Sequence, residues 1–298
     1  MNKTKKMMKT KGDIAVSVLV AFFVTLFCLF VLVPFIMMLS SSFETESNIV
    51  KYGFSLYPRD FTLASYKYLL SDDQILRAYG VTIFITVVGT ILSMLATISI
   101  AYGLAQKKVK FKNGVTFFLY FTMLFSGGLA PSYLLISKYL GMRDTIWVMI
   151  IPILFSPWNT FLMRNFFKTI PEELTESAYI DGAHELIILF KIILPVSVPG
   201  IATISLFYAL GYWNQWYQAM LFIDDRTLFP LQYIIMELVQ RAEFVKNVAS
   251  SAGIPTSEIP SNSLKMATTV VTIGPIILLY PFLQKYFTSG LTVGAIKG

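Results

Sequence analysis

The sequence predicts an all-α polytopic membrane protein with six transmembrane helices, and three observations carry that prediction. Hydrophobic residues make up 55% of the 298-residue chain and charged residues only 14%, a balance far from that of a soluble domain of this length. Six stretches, near 14–39, 79–105, 115–137, 146–163, 196–222 and 266–284, contain no Asp, Glu, Lys or Arg. Each is long enough to cross roughly 30 Å of hydrocarbon at about 1.5 Å per residue. The runs are continuously apolar and do not alternate, which excludes a transmembrane β-barrel.

Taken in order, residues 1–13 form a basic tail, and 14–298 form the membrane domain. The first span follows a basic start, yet it is too long for the apolar core of a secretory signal and lacks a small-x-small cleavage pattern before Ser40. It is expected to stay attached. The single cysteine, Cys28, lies inside it, so there is no disulfide framework or Cys-based metal site, and the residue reads as small apolar packing. An outer loop, Ser40–Ala78, includes FTLASYKYLL (Phe61–Leu70), which reads as a short amphipathic helix. The second and third spans are joined by the basic loop Gln106–Gly114. In the third span Ser126, Gly127, Gly128 and Pro131 interrupt the run. Small residues there point to contact with another helix, and a Gly-Gly pair before Pro can break the helix. Pro34, Pro152, Pro157, Pro195, Pro199, Pro275 and Pro281 sit within or beside spans, where each removes a backbone donor and favours a bend. The fifth and sixth spans are separated by a second outer loop, 223–265, and no internal repeat is visible.

Orientation follows from the basic residues. With the N-terminus inside, the inner segments hold 14 Lys and Arg against 6 acids, whereas the outer segments hold 10 against 11. Cytoplasmic segments retain the basic excess, so both termini are expected inside. The net charge of +7 is explained by this topology and requires no nucleic acid.

The most informative segment is the polar interruption Thr169–Gly182, TIPEELTESAYIDG. Thr169 is placed to cap a helix, with Glu172 completing a capping box and Pro171 in the first turn. Glu172 and Glu173 suit the positive helix end, and Gly182 is a natural stop. Leu174, Ala178 and Gly182 are spaced to share one face, with Ser177 beside them, so a second surface could approach closely. His184–Leu194 reads as a further apolar helical stretch leading to Pro195.

Glu176-Ser177-Ala178, three residues, Gly182, nine residues, then Ile192-x-Leu194-Pro195 resembles the EAA loop of binding-protein-dependent ABC importer permeases, with Ser177 for the usual second alanine. RNFFKTIPEE (164–173), AYIDGA (178–183), LFYALGYWNQWYQAM (206–220) and GLTVGAIKG (290–298) are similar to the second permease of maltose-type carbohydrate importers. SGGLAPSYLL (126–135) and FPLQ (229–232) resemble its complex-oligosaccharide branch in Gram-positive bacteria. The resemblance implies a type I ABC importer permease fold in the plasma membrane and a coupling loop over 169–195. Docking on a cytoplasmic ATPase dimer would fall to Glu176, Ser177, Ala178, Asp181, Gly182 and Ala183. A second homologous permease, an extracellular solute-binding lipoprotein and an oligosaccharide substrate are implied in the same way. The implied role of the outer loop 223–265 is to reach into the receptor.

The chain shows no Gly-rich phosphate loop ending in Gly-Lys-Ser/Thr, and its one histidine, His184, cannot build a metal cluster. Neither catalytic nor metal residues are therefore expected, and the ATP and Mg²⁺ implied by the resemblance belong to the partner ATPase. On the fifth span Tyr208, Tyr212, Trp213, Asn214, Gln215, Trp216 and Tyr217 mix aromatic faces with amides. That combination suits sugars, though it also fits an interfacial aromatic belt. A permease for a non-sugar solute is the alternative. A secondary transporter is disfavoured, since no span carries an ionisable acid or base.

Overall fold

The apolar runs fold as helices, and several of them are broken. The computed structural model describes residues 11–70, 73–252, 261–275 and 277. Its helices are α1 (Lys11–Ser42), α2 (Glu46–Tyr52), α3 (Ala64–Leu70), α4 (Asp73–Ala105), α5 (Lys112–Leu124), α6 (Leu129–Leu134) and α7 (Pro157–Phe167). There follow α8 (Glu172–Ile180), α9 (Glu185–Ile188), α10 (Leu194–Val196), α11 (Val198–Trp213), α12 (Tyr217–Phe222), α13 (Leu231–Ser251) and α14 (262–275). Among the described residues the sole strand-like pairing is an isolated bridge between Glu44 and Phe61, so the all-α expectation is borne out.

The described residues fall into two compact units, one holding those up to Leu69 with those in Val239–Val271, the other those in Leu70–Leu238 with those from Thr272 onward. In the first, α1 is apolar on every side and its spanning window is not buried at all within the chain. A helix hydrophobic all round requires lipid or another subunit about it. Cys28, expected as a small apolar packing residue, is exposed on α1 within this chain, on a surface that lipid or another subunit would cover. Pro34 lies inside α1 without breaking it.

The segment after α1 is pinned by two buried carboxylates. Glu44 accepts hydrogen bonds from Arg59 N (2.6 Å), Asp60 N (3.0 Å) and Asn48 Nδ2 (2.9 Å), while Phe43 stacks on Phe61 and Tyr66. Glu46 sits at the start of α14, accepting from Asn262 N and Ser263 N (both 2.9 Å) and from the Ser263 hydroxyl (3.0 Å), with Lys246 Nζ at 3.6 Å. Burial works to raise the Glu46 carboxyl, yet the Ser263 and Asn262 hydrogen bonds and the Lys246 charge outweigh it and leave it below the ordinary carboxylate range. The expected short helix within Phe61–Leu70 is present as α3. Much of the expected outer loop 223–265 is the helix α13, whose acids and amides hid its apolar spacing.

The second unit is organised on α4. Its buried residues, Ile75, Ala78, Thr82, Ile85, Gly89, Ser93, Thr97, Ala101 and Leu104, recur every three or four positions and form one stripe against α11 and α7. Gly89 is what lets α11 come close: a Cβ there would lie 2.5 Å from Tyr212 Cζ, the small-residue contact by which membrane helices pack. At Gly200 a Cβ would meet Phe166 Cγ at 2.7 Å.

Two spans, Ile14–Ser42 and α4, are unbroken. Two expected single helices, the third and the fourth, are bent pairs, and a further bend stands at the head of the expected fifth. The third turns 111° between α5 and the Leu129–Tyr139 stretch, where Gly128 adopts φ +85°, a conformation glycine reaches without strain. Ser126–Pro131 are exposed and Gly127 and Gly128 have no neighbour near a Cβ, so the expected helix contact is not made among the described residues. The fourth bends by 53° before Pro157, which opens α7 while Ser156 caps it. The fifth turns by 84° ahead of α11, where Pro199 lacks the amide needed to continue, and it breaks again at 214–216. Counting each bent pair once gives up to five spans among the described residues. The expected sixth, 266–284, runs past them, as do Pro281 and GLTVGAIKG.

Candidate functional site

The loop after α7 begins with a proline that decides where α8 starts. Thr169 is not its cap: its hydroxyl donates to Phe166 O at 2.7 Å and closes α7. Pro171 holds φ −59° and ψ 134° and becomes the residue before the first helical turn, without a side-chain cap bond. The expected capping box is therefore absent, because Pro171 draws the start two residues beyond Thr169. Glu172 turns instead to Lys107, Oε1 lying 2.7 Å from Nζ, and this pair raises the Lys107 ammonium above its ordinary value.

The other end of α8 is a Schellman motif. Gly182 N donates to Tyr179 O (3.0 Å) and Ala183 N to Ala178 O (2.9 Å), with Gly182 at φ +78°, so glycine is required here by the backbone itself. Ala178 is buried and Ala183 half-buried, whereas Leu174, Glu176, Ser177, Asp181 and Gly182 are exposed. This corrects the expectation that Leu174, Ala178 and Gly182 share one free face. Ile180, 86% exposed, stands at the outer tip. The exposed surface of α8 thus combines the aliphatic side chains of Leu174 and Ile180 with Glu173, Ser177, Asp181 and Gly182.

A carboxylate ties the inner side of α8 to α4. Glu185 accepts from the Tyr179 hydroxyl at 2.5 Å and from the Tyr102 hydroxyl at 2.8 Å. Lys108 lies 4.4 Å above the Tyr179 ring. Partial burial, followed by the Glu185 carboxylate, pushes the Tyr179 phenol up to about 12. His184 is the cap of α9, its Nδ1 accepting from Leu186 N at 3.4 Å. Both ends of α8 are therefore fastened inward, by Lys107 and by Glu185, while its outer face is uncovered among the described residues.

The aromatic stretch divides into two groups. Tyr208 pairs its hydroxyl with Thr97 Oγ1 (2.7 Å) and accepts from Ser156 N (3.1 Å). The Tyr212 hydroxyl pairs with Ser93 Oγ (2.9 Å) and reaches Ile150 O (3.3 Å). Trp213 is buried, its Nε1 donating to Thr272 O at 3.3 Å. These three, offered by the sequence as path-lining or belt residues, are buried and hydrogen-bonded within the second unit. Asn214, Trp216 and Tyr217 reach the surface; Trp216 and Tyr217 stand edge-to-face at 5.7 Å, and Asn214 Oδ1 accepts from Gln232 Nε2 at 3.1 Å. Gln215, between them, is buried, and neither of its amide atoms has a hydrogen-bond partner among the described residues.

The chain is 40% identical over 276 residues to the polygalacturonan/rhamnogalacturonan transport system permease protein YtcP of Bacillus subtilis (strain 168), covering 93% of this chain and 96% of that one. It belongs to the ABC transporter permeases. Protein LplC of the same organism is also 40% identical, over 267 residues and 90% of each chain. Among solved structures, a chain of a bacterial ABC transporter involved in the import of the acidic polysaccharide alginate matches with a TM-score of 0.78 and 29% identity, over 94% of this chain and 99% of that one. No protein-family model matches the chain. The permease is thus a membrane protein of a transport system. Sequence reasoning missed Tyr102, Lys107 and Glu185, which come from distant segments; the one sequence signal for them was a basic loop opposite an acidic one, and charge alone does not give register. Among the described residues no group of three or more His, Cys, Asp or Glu is arranged to hold a metal ion.

Proposed function

We propose that this permease forms, with a second homologous permease, the translocation path of an ATP-driven oligosaccharide importer. A cytosolic ABC ATPase dimer binds the ATP and Mg²⁺ and docks on α8, and an extracellular solute-binding lipoprotein delivers the sugar. The observation that carries this reading is α8 itself, fastened inward by Lys107 and Glu185 while Ser177, Ile180, Asp181 and Gly182 face outward. Closure of the ATPase on nucleotide moves α8 as a body. The Tyr179–Glu185–Tyr102 link passes the movement to α4 and so to α11 and α7, biasing a two-state element with a ligand. Both termini and the loop 169–195 are cytoplasmic, the loop 223–265 meets the receptor, and the host membrane is that of a Gram-positive bacterium.

The substrate in this reading is an acidic oligosaccharide, a choice supported by a relative named for polygalacturonan/rhamnogalacturonan transport and by a similar transporter involved in the import of the acidic polysaccharide alginate. Asn214, Trp216 and Tyr217 would contact it, their aromatic faces against sugar C–H groups and the amide against hydroxyls. Reconstitution of the complex that co-purifies with the permease tests this. ATP-dependent uptake of a galacturonate trisaccharide, in preference to a neutral one, is the expected result. Absence of a co-purifying ATPase, or uptake driven by a proton gradient without ATP, would overturn it.

A further inference from the structure

Beside α8 lies a groove with an excess of positive charge. It encloses about 530 Å³ and is lined by Lys107, Lys108, Lys112 and Lys168, with Glu172 and Glu176 on its α8 side and Phe167, Ile170 and Ile193 adding apolar surface. Two of the four lysines are engaged, Lys107 by Glu172 and Lys108 by the Tyr179 ring. The other two are not so compensated. Among the described residues Lys112 Nζ reaches only the Gln106 and Lys107 carbonyl oxygens, at 3.4 and 3.5 Å, and Lys168 has no ion pair.

A third cation joins them. Tyr120 stacks on Phe161 at 4.5 Å, so the α5 stripe Lys112–Thr116–Tyr120 meets the α7 stripe Phe161–Arg164–Lys168. Arg164 Nε is buried and has no hydrogen-bond partner among the described residues. Partial desolvation, then the like charges of Arg164 and Lys112, hold the Lys168 ammonium below the usual lysine range. Three mutually repelling cations, one with a buried unmet donor, are relieved by an anion that accepts several hydrogen bonds at once. A phosphate group has that chemistry.

The position of the cluster selects the kind of anion. Lys112 opens α5 and Arg164 and Lys168 close α7, so all three lie where apolar spans end and headgroups begin. From Lys112 inward, α5 exposes Val115 and Phe118, and Phe111 beside it is 81% exposed. Such an apolar track suits an acyl chain and gives a free phosphate ion nothing.

We propose that Arg164, Lys112 and Lys168 hold the headgroup phosphate of an anionic phospholipid of the cytoplasmic leaflet, with an acyl chain lying along Phe111, Val115 and Phe118. The site goes beyond the docking reading and rests only on its cytoplasmic placement of this face. The bound lipid would also steady the floor from which α8 moves.

The test uses the whole importer complex, reconstituted into phosphatidylcholine vesicles with or without phosphatidylglycerol, then released gently for native mass spectrometry of lipid retained on the permease. Retention of phosphatidylglycerol over phosphatidylcholine is expected, weakened roughly ten- to thirtyfold in Lys112→Gln/Lys168→Gln on the basis of the usual contribution of each lysine at an anionic surface. Lys110→Gln, in the same loop but outside the groove, is expected to retain the lipid. Equal retention of the two lipids, an undiminished signal in the double variant, or an equal loss in Lys110→Gln would overturn the site. Thermal stabilisation of the complex in phosphatidylcholine by inorganic phosphate alone, abolished in the double variant, would overturn the lipid assignment. The readout is bound lipid, so the outcome does not depend on whether an ATPase docks on α8 or on which sugar is carried.

Discussion

The α8 loop and the aromatic stretch 208–217 both looked functional in sequence, yet they are built in opposite ways. At α8 the polar contacts between elements point inward, Glu172 to Lys107 and Glu185 to Tyr179 and Tyr102, and Glu173, Ser177, Ile180, Asp181 and Gly182 are left exposed. In the aromatic stretch the largest side chains are the inward ones. Tyr208 and Tyr212 spend their hydroxyls on Thr97 and Ser93, whereas the side chains of Asn214, Trp216 and Tyr217 reach the surface. The difference teaches that in a membrane helix a buried hydroxyl or indole must find a partner, so aromatic residues interleaved with polar ones serve packing as readily as recognition.

That contrast can be broken most forcefully at Gly89. Gly89→Leu would force side-chain atoms into the Tyr212 ring, which already stands 2.5 Å from a single Cβ. It is expected to destabilise the second unit by about 3 kcal/mol or more, read as loss of folded permease in detergent and a lowered melting temperature. Gly89→Leu behaving like wild type would mean that Tyr212 is not wedged between α4 and α11.

A smaller effect is expected at the α8 tether. Glu185→Gln weakens charge-assisted hydrogen bonds to two phenols, each worth roughly 1.5–3 kcal/mol. Uptake in proteoliposomes should fall at least about tenfold while ATP hydrolysis by the assembled complex persists. Parallel loss of both activities would instead indicate failed assembly.

Third in size is the split within the aromatic stretch. Trp216→Ala and Tyr217→Ala are expected to raise the KM for sugar uptake several-fold, on the order of 1 kcal/mol for a lost stacking contact. Tyr208→Phe should leave KM unchanged and cost only about 0.6 kcal/mol of stability, the usual yield of a hydrogen bond between membrane helices. The reverse pattern would restore Tyr208 to the path.

The smallest effect concerns Glu46, away from both regions. Its carboxyl is held below the ordinary range, so its contribution to stability is complete above a pH of about 4.3 and is lost as pH falls through the lower folded value. Hydrogen exchange at the Asn262 and Ser263 amides, which Glu46 accepts, should be unchanged between neutral pH and about pH 5 once corrected for intrinsic rates. Protection should drop in stronger acid, and Glu46→Gln should lose most of this acid dependence.

Composition and the six uncharged runs were enough to read the helical class, because burial in lipid demands that the backbone satisfy itself and leaves few alternatives. The breaks were only partly legible. Gly127-Gly128 announced the third bend, since only glycine enters φ +85° freely. The second interruption of the fifth span at 214–216 carried no Gly or Pro to betray it. Helix α13 was hidden because a chain leaving the membrane can be amphipathic and still follow a helical period. At α8 the register of the loop was readable, whereas the facing was not: Ala178 turns inward because Lys107 and Tyr102, more than 60 residues upstream, decide which side of the helix is tied down.

The central claim is that the outer face of α8 is a docking surface for an ATP-hydrolysing subunit. A photo-crosslinking side chain at Ile180, the most exposed position of α8, tests it in the intact complex, with Ala178, buried against its own chain, as the paired control. The account predicts an adduct between position 180 and an ATPase subunit, and none from position 178. An assembled complex in which position 180 captures only lipid, an extracellular protein or nothing would contradict it.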